Sequence, residues 1–196
     1  MSRPARQASQ WPQETPGWSI TASPTCHPLT AEPSAAIQIA RLFEARVITT
    51  ASTPWKLERA RELGADVGIN HREQDVLEEV RRITARRGVD VVLDHVGAAT
   101  WETSIKALAT GGRLTVCGAT SGPQTQVDIR YIYARQLTIV GTWMGTKAEM
   151  REVLRLIERR RLAPVVFAVL PLEEAAEAHR IMEESRHFGK IVLQVE

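Results

Sequence analysis

Small residues follow four predicted strands, in positions where they could line a ligand crevice. They lie at residues 49–52, 94–97, 117–119 and 140–142. Glycines and other small side chains there would let a flat cofactor approach the backbone, which bulky side chains would block. Each segment taken alone is equally typical of an ordinary turn. Ligands of parallel α/β sheets bind at the carboxyl ends of the strands, so the four segments together indicate one binding site.

Nucleophilic, acid–base and metal chemistry find little support. Asp94 and His95 could form an acid–base pair, but successive side chains on a strand point to opposite faces. Cys117 has no basic neighbour in the sequence, which favours a small buried residue over a nucleophile. Cys26 and His27 are adjacent in a predicted loop, which favours a bystander pair over a metal site. We therefore expect no zinc and name no catalytic residue.

From Ser34 onward, apolar runs alternate with amphipathic segments, and these elements must position the four segments. Pro54 suits the first position of a helix that follows a Ser52 or Thr53 cap and stops at Gly64. Further helices are predicted over 34–43, 73–85, from Trp101 to glycines 111 and 112, 147–160 and 171–186, and strands over 46–52, 66–70, 89–96, 113–120, 136–143, 164–170 and 189–195. The alternation predicts an α/β fold: a doubly wound, Rossmann-like, mostly parallel sheet of five or six strands.

The first 33 residues differ from the rest. They hold six of the ten prolines and show no apolar periodicity, so we expect an irregular or disordered segment. The sequence predicts three parts: this segment over 1–33, a Rossmann-like nucleotide-binding domain over 34–162, and a C-terminal segment over 163–196.

Composition narrows the class of partner. The 196 residues include 25 basic and 23 acidic side chains, so no strong field favours nucleic acid or an anionic membrane. The arginines at 159–161 close a predicted helix, where cations offset the helix dipole. No apolar stretch approaches the roughly 20 residues of a membrane span. Two cysteines are too few for a disulfide framework, which favours a reducing, cytoplasmic setting.

Six segments, in order and spacing, resemble medium-chain dehydrogenases of the zinc-type alcohol dehydrogenase and quinone oxidoreductase group. They are "PSAAIQIARLF", "KLERARELGAD", "RGVDVVLDHVG", "GGRLTVCGATSG", "RQLTIVGTWMGT" and "PLEEAAEAHRIMEESRHFGKIVL". The resemblance covers residues 34–196. It implies nicotinamide-dependent hydride transfer to or from a small alcohol, carbonyl or quinone, and a final segment that packs on a catalytic domain.

The resemblance also implies cofactor contacts by position. They are Val96 and Gly97 at a cofactor ribose, Cys117, Gly118 and Ala119 beside the nicotinamide ribose, and Val140, Gly141 and Thr142 at the nicotinamide ring and its carboxamide. Lys190 falls where a cation can reach the pyrophosphate, the alternative being a solvated strand lysine.

Cofactor choice can be predicted from charge. A site that prefers NAD usually has an acidic residue after the second strand, whereas residues 49–52 contain none. Thr50 is a predicted contact at this strand end, and Ser52 and Lys56 could hold a 2′-phosphate, with Arg59 nearby. NADP(H) is therefore favoured over NAD(H). The alternative is that Lys56 and Arg59 form the solvated face of a helix.

The sequence departs from the family pattern upstream. No glycine lies between Gly17 and Gly64, so the Gly-x-Gly-x-x-Gly phosphate loop is absent, and Glu32 stands near its expected place. The first strand is predicted to be missing or replaced, because "WSI" is short. Glu44 stands where the family commonly has glycine.

The substrate-binding domain of the family is also absent upstream, which suggests a truncated or frame-shifted gene. The alternative to an oxidoreductase is a non-catalytic dimerising or weak nucleotide-binding remnant. In either case the strand near 137–145 resembles the edge through which family members pair, so a homodimer is expected.

Overall fold

Six parallel strands form one sheet in the order β3–β2–β1–β4–β5–β6. The computed structural model describes residues 19–22, by their backbone alone, and residues 34–195. The strands of this sheet are β1 (Ser19–Ala22), β2 (Arg46–Ala51), β3 (Val67–Asn70), β4 (Val89–Asp94), β5 (Leu108–Val116) and β6 (Thr138–Gly141). The helices are α1 (Ser34–Leu42), α2 (Pro54–Glu62), α3 (Val76–Ile83), α4 (Trp101–Ala107), α5 (Ile129–Ala134), α6 (Lys147–Glu158) and α7 (Ala175–Glu183). The predicted α/β class is confirmed.

β1 lies at the centre of the sheet, where Ile20 pairs with Val47 of β2 on one side and Val91 of β4 on the other. The first-strand position is therefore filled by a short replacement strand. The prediction of an irregular segment over 1–33 is wrong for Ser19–Ala22, and its remainder lies outside the described residues. Hydrogen bonding to two neighbours supplies the stability that a four-residue strand lacks alone.

Two apolar clusters cover opposite faces of the sheet. Val47 and Ile48 are adjacent on β2, so their side chains point to opposite faces. Ile48 packs in a cluster with Val80 of α3 and Ile105 of α4. Val47 packs in the other cluster with residues of α1 and α2. Helices thus cover both faces, as the doubly wound prediction requires.

The helix α4 ends earlier than the sequence predicts. It stops at Ala107, and the glycines expected to end it, Gly111 and Gly112, lie within β5. The strand pairing shifts there, from Val89 opposite Leu108 to Val91 opposite Arg113. The Arg135 side chain donates to the carbonyl oxygens of Lys106 and Leu108, which stabilises this early exit from the helix. Such a long-range contact leaves no local sequence signal.

Two further elements complete the chain. The segment between β5 and β6, predicted to be a simple connection, contains α5. The C-terminal strands β7 (Val166–Pro171) and β8 (Lys190–Gln194) pair in a separate parallel sheet, with a 3₁₀ turn (Leu172–Glu174) and α7 between them. Phe188, just before β8, is buried in the cluster on α1 and α2, so this segment packs against the first helices.

Local signals at helix ends are mostly as the sequence predicts. Pro54 is the first residue of α2, and Thr53 is its N-cap residue without a side-chain cap hydrogen bond. Glu44 has φ 55°, the left-handed conformation that glycine adopts without strain. This left-handed conformation after α1 explains why glycine is common at this position in the family that the sequence resembles.

Candidate functional site

The carboxyl ends of the strands meet along one edge of the sheet. Asp94 at the end of β4 pairs with Val116 of β5, and Val116 pairs with Gly141 at the end of β6. The Thr142 amide donates to the Val116 carbonyl oxygen at 2.9 Å. The carboxyl ends of β4, β5 and β6 and the residues just after them, which together carry eight of the predicted cofactor contacts, are therefore neighbours.

The loops after β4 and β5, residues 95–98 and 117–122, are hydrogen bonded to each other. The Ser121 amide and hydroxyl both donate to the Val96 carbonyl oxygen at 2.8 Å. The Ala98 amide donates to the Gly122 carbonyl oxygen at 3.1 Å. The Ser121 hydroxyl oxygen also accepts from the Ala99 amide at 2.9 Å. We call residues 95–98 and 117–122 the loop pair.

Two glycines allow the loop pair to approach closely. A Cβ at Gly118 would lie 2.7 Å from the His95 carbonyl oxygen. A Cβ at Gly97 would lie 2.8 Å from both the Ala119 Cα and the Gly122 carbonyl oxygen, and Gly97 has φ +90°. Both distances are shorter than real Cβ contacts, so each position requires glycine. The glycines predicted to admit a cofactor therefore also hold the two loops together.

Asp94 anchors this region through its side chain. The carboxylate is fully buried and accepts four hydrogen bonds. Oδ1 accepts from the amides of Val96 and Gly97 at 2.8 and 3.0 Å. Oδ2 accepts from the hydroxyls of Thr100 and Ser104 at 2.8 and 2.7 Å. Four donors satisfy the carboxylate within the protein, which argues against Asp94 as half of an acid–base pair.

The predicted contacts of the loop pair differ in accessibility. Cys117 and Ala119 are exposed, whereas Val96 is buried and both its amide and its carbonyl oxygen are hydrogen bonded within the protein. The expectation of a buried Cys117 is wrong. Although the residue is exposed, surrounding groups partly shield its sulfur from water, and this desolvation together with the Asp94 charge raises the pKa of the thiol, so a reactive thiolate is disfavoured.

The first turn of α2, shortly after β2, carries a buried cation. Lys56 is 2% exposed, and its ammonium lies 5.6 Å from the centre of the Trp55 ring. Thr50 and Ser52 are buried beside it in sequence, and within residues 34–195 the Thr50 hydroxyl has no hydrogen-bond partner. Arg59 is exposed and paired with Glu62 at 2.5 Å. The solvated-face alternative is thus wrong for Lys56 and right for Arg59.

The charge of Lys56 acts on two histidines, His71 and His187. Burial lowers the pKa of His71, and the charges of Arg72 and Lys56 lower it further. Burial also lowers the pKa of His187, and the charges of Lys56 and Lys190 lower it further, whereas a hydrogen bond that its ring donates to the Ile181 backbone acts in the opposite direction. Lys190 is exposed at the start of β8. Lys56 of α2 and Lys190 of β8 therefore both lower the pKa of the buried His187.

The edge strand β6 and the residues after it are open to solvent. Val140 is 39% exposed, and Trp143 and Met144 are 89% and 85% exposed. Gly141 and Thr142 are exposed as well, and a Cβ at Gly141 would meet nothing within 4 Å. The predicted nicotinamide contacts are therefore accessible, and they adjoin an apolar edge.

Sequence reasoning missed three residues of this region: Asp94 as an anchor, Ser121 as the link between loops, and His187 beside Lys56. The spacing of Asp94 from Val96 and Gly97 is a local signal that was available, because aspartate often accepts from the amide two residues on. Ser121 and His187 act across the fold and have no such signal.

Among the described residues, no group of three His, Cys, Asp or Glu side chains is arranged to hold a metal ion. None of the helices in that part of the chain is long and apolar enough to cross a membrane.

A parallel sheet with strand order 3-2-1-4-5-6 and helices on both faces defines a Rossmann-like nucleotide-binding fold. Residues 34–159 match the family model described as zinc-binding dehydrogenase, so the chain belongs to this family. This finding confirms the resemblance to zinc-type alcohol dehydrogenases and quinone oxidoreductases.

Individual relatives agree with this assignment. A 2-haloacrylate reductase of Burkholderia sp. is 35% identical over 164 residues, which cover 79% of this chain and 49% of that protein. A crystal structure of an NAD-dependent alcohol dehydrogenase is 46% identical with a TM-score of 0.83, covering 92% of this chain and 52% of that one. Escherichia coli quinone oxidoreductase complexed with NADPH is 26% identical with a TM-score of 0.76, covering 89% and 57%. The chain spans about half the length of these relatives.

Proposed function

We propose that the chain binds a nicotinamide dinucleotide at the carboxyl edge of its main sheet, as part of an oxidoreductase that transfers hydride to or from a small alcohol, carbonyl or quinone. The observation that carries this proposal is the loop pair, in which Gly97 and Gly118 bring the backbones after β4 and β5 together beside exposed small residues. A flat cofactor needs such a surface, because side chains there would keep it from the backbone. The relatives' activities support the same reaction class.

We further propose that NADP(H) is preferred over NAD(H). Residues 49–53 contain no acidic side chain to repel a 2′-phosphate. The Lys56 ammonium is buried, and its charge adds to the effect of burial in lowering the pKa of His71 and of His187. A phosphate would accept a charge-assisted hydrogen bond from the Lys56 ammonium, and Thr50 and Ser52 would add hydroxyl donors. Among the similar structures, two contain NADPH and one contains NADP, whereas one is named NAD-dependent.

The test is a calorimetric titration of the full chain with NADPH and with NADH. We expect NADPH to bind at least about tenfold more tightly, because the loss of one charged phosphate contact costs about that factor. Lys56→Met should remove the preference and leave the affinity for NADH within about threefold. Lys106→Met is the matched control, because Lys106 also lies beside an aromatic ring but at Tyr131. Equal affinity of the wild-type chain for both cofactors would refute the preference.

The exposed β6 edge favours a second candidate, a non-catalytic homodimer that retains weak nucleotide binding. β6 is exposed along its whole length, and Trp143 and Met144 extend its apolar surface. An edge strand of this kind can pair with a second copy through residues 137–145. Oxidation of NADPH in the presence of a quinone or small carbonyl, followed at the nicotinamide absorbance, separates the two candidates. Binding without turnover would favour the non-catalytic one.

A further inference from the structure

The Asp94 carboxylate links the loop pair to the helix α4. Its Oδ1 atom accepts from two amides of the loop pair, those of Val96 and Gly97. Its Oδ2 atom accepts from the hydroxyls of Thr100, just before α4, and Ser104, inside α4. Burying a carboxylate costs several kcal/mol unless hydrogen bonds replace its hydration. This cost is offset only when loop and helix donors keep their present positions.

The second loop is tied to the same residue. The Cys117 amide donates to the Asp94 carbonyl oxygen at 3.0 Å. Gly97, held by Oδ1, lies against Ala119 and Gly122 with no room for a Cβ. Val96, held by the same oxygen, presents its carbonyl oxygen to Ser121. A shift of the Asp94 carboxylate would therefore move both loops together.

We propose that Asp94 is the positioning residue of the nucleotide site: without touching the cofactor, its carboxylate fixes the loop pair against α4 so that Cys117 and Ala119 face the crevice. This inference rests on the proposed function. It assigns to Asp94 a role that the acid–base interpretation of the sequence did not contain. Val96, predicted as a cofactor contact, becomes a link within the loop pair because its polar backbone groups are already used.

Three variants of the full chain test this role: Asp94→Ala, Asp94→Asn and Ser104→Ala. Alanine removes all four side-chain hydrogen bonds. Asparagine keeps an oxygen for the two amides, and its NH₂ group can donate to hydroxyls, which rotate to accept. Ser104→Ala removes one hydrogen bond on the helix side alone, so it is the control for a general loss of stability.

Two readouts are needed, and one of them requires no cofactor. Hydrogen exchange of the Val96 and Gly97 amides, measured by NMR, should accelerate about 100-fold in Asp94→Ala and stay near wild type in Ser104→Ala. The dissociation constant for NADPH should rise about tenfold or more in Asp94→Ala and stay within about threefold in Asp94→Asn and Ser104→Ala. Melting temperature is recorded for all variants, and it should fall in Ser104→Ala without a loss of affinity.

The outcomes separate this inference from the proposed function. Unchanged amide exchange and unchanged NADPH affinity in Asp94→Ala would overturn the role of Asp94. If Asp94→Ala does not fold, Asp94→Asn and Asp94→Glu provide the test. Glutamate keeps the charge but displaces the carboxylate, whereas asparagine keeps the position of the side-chain oxygen. Tighter NADPH binding by Asp94→Glu than by Asp94→Asn would therefore overturn the role. A wild-type chain that shows no binding at about 1 mM NADPH overturns the proposed function, and with it the nucleotide-site role, whatever the exchange data show.

Discussion

The loop pair and the β6 edge lie next to each other. They differ in how far their polar and apolar groups are hydrogen bonded or buried within the chain. In the loop pair, backbone groups hydrogen bond across the two loops, glycines permit close contact, and the Asp94 carboxylate that holds the first loop is fully buried. Along β6 and α6, no residue is buried, and large apolar side chains lie in solvent. The first region is complete within one chain. The second gains stability only when another surface covers it.

The largest expected effect tests the close contact within the loop pair. Gly118→Ala would place a Cβ 2.7 Å from the His95 carbonyl oxygen, and neither backbone can yield easily. We expect a loss of unfolding free energy of about 2 kcal/mol in urea denaturation. Gly141→Ala is the control on β6, where the added Cβ meets nothing, and it should change stability by less than about 0.5 kcal/mol. Equal effects at both positions would remove the contrast between the regions.

The next prediction concerns the β6 edge. Trp143→Glu should weaken homodimer formation about 100-fold in sedimentation equilibrium, because a large aromatic side chain at an interface typically carries that much binding energy. Phe43→Glu is the control, since Phe43 is also exposed, at 67%, but lies after α1. The stability of the monomer should not fall in either variant. A wild-type chain that stays monomeric at about 100 µM would contradict pairing through residues 137–145.

A third prediction concerns the histidines near Lys56, which lie outside both regions. The folded state holds the pKa of His71 and of His187 below the ordinary value of 6.5. The unfolded chain therefore binds more protons below that value, and stability should fall as the pH drops from about 7 to 5. His187→Gln should flatten this fall in thermal melts across that range, with His179→Gln on α7 as the matched control. A steeper fall in His187→Gln would reverse the expected sign.

The smallest effect tests backbone conformation. Gly97 and Glu44 both have positive φ, at 90° and 55°, but only Gly97 has the residue type suited to it. Glu44→Gly should stabilise the chain by about 0.5 kcal/mol, because relief of strain exceeds the added flexibility of the unfolded chain. Differential scanning calorimetry against Glu62→Gly, a helix position where glycine should destabilise, gives the comparison. A fall in melting temperature for Glu44→Gly would show that the side chain contributes more than the strain costs.

Much of the fold could be predicted because its signals are local. Apolar runs such as β4, and Pro54 at the start of α2, are visible in short windows of sequence. The failures depend on long-range contacts. The position of β1 is set by β2 and β4, and the end of α4 is set by Arg135, which is distant in sequence.

The candidate site shows the same division. The segments after β4, β5 and β6 could be found because strand ends and glycines mark them. That Lys56 is buried while Arg59 on the same helix is exposed could not be found locally, since it depends on how α2 packs. The anchoring role of Asp94 lies between these cases, because two of its four partners are near in sequence and two are contributed by the N-terminal part of α4.

The central place of β1 makes the sheet depend on a strand of four residues. Ser19–Ala22 is the only hydrogen-bonded connection between the pair β3–β2 and the trio β4–β5–β6 in the described sheet. Deleting these four residues would split the sheet in two and expose one unpaired edge on each half. Such edges recruit strands from other molecules. Proteolytic cleavage that frees this segment should therefore lead to aggregation, even though the large clusters on either side remain intact.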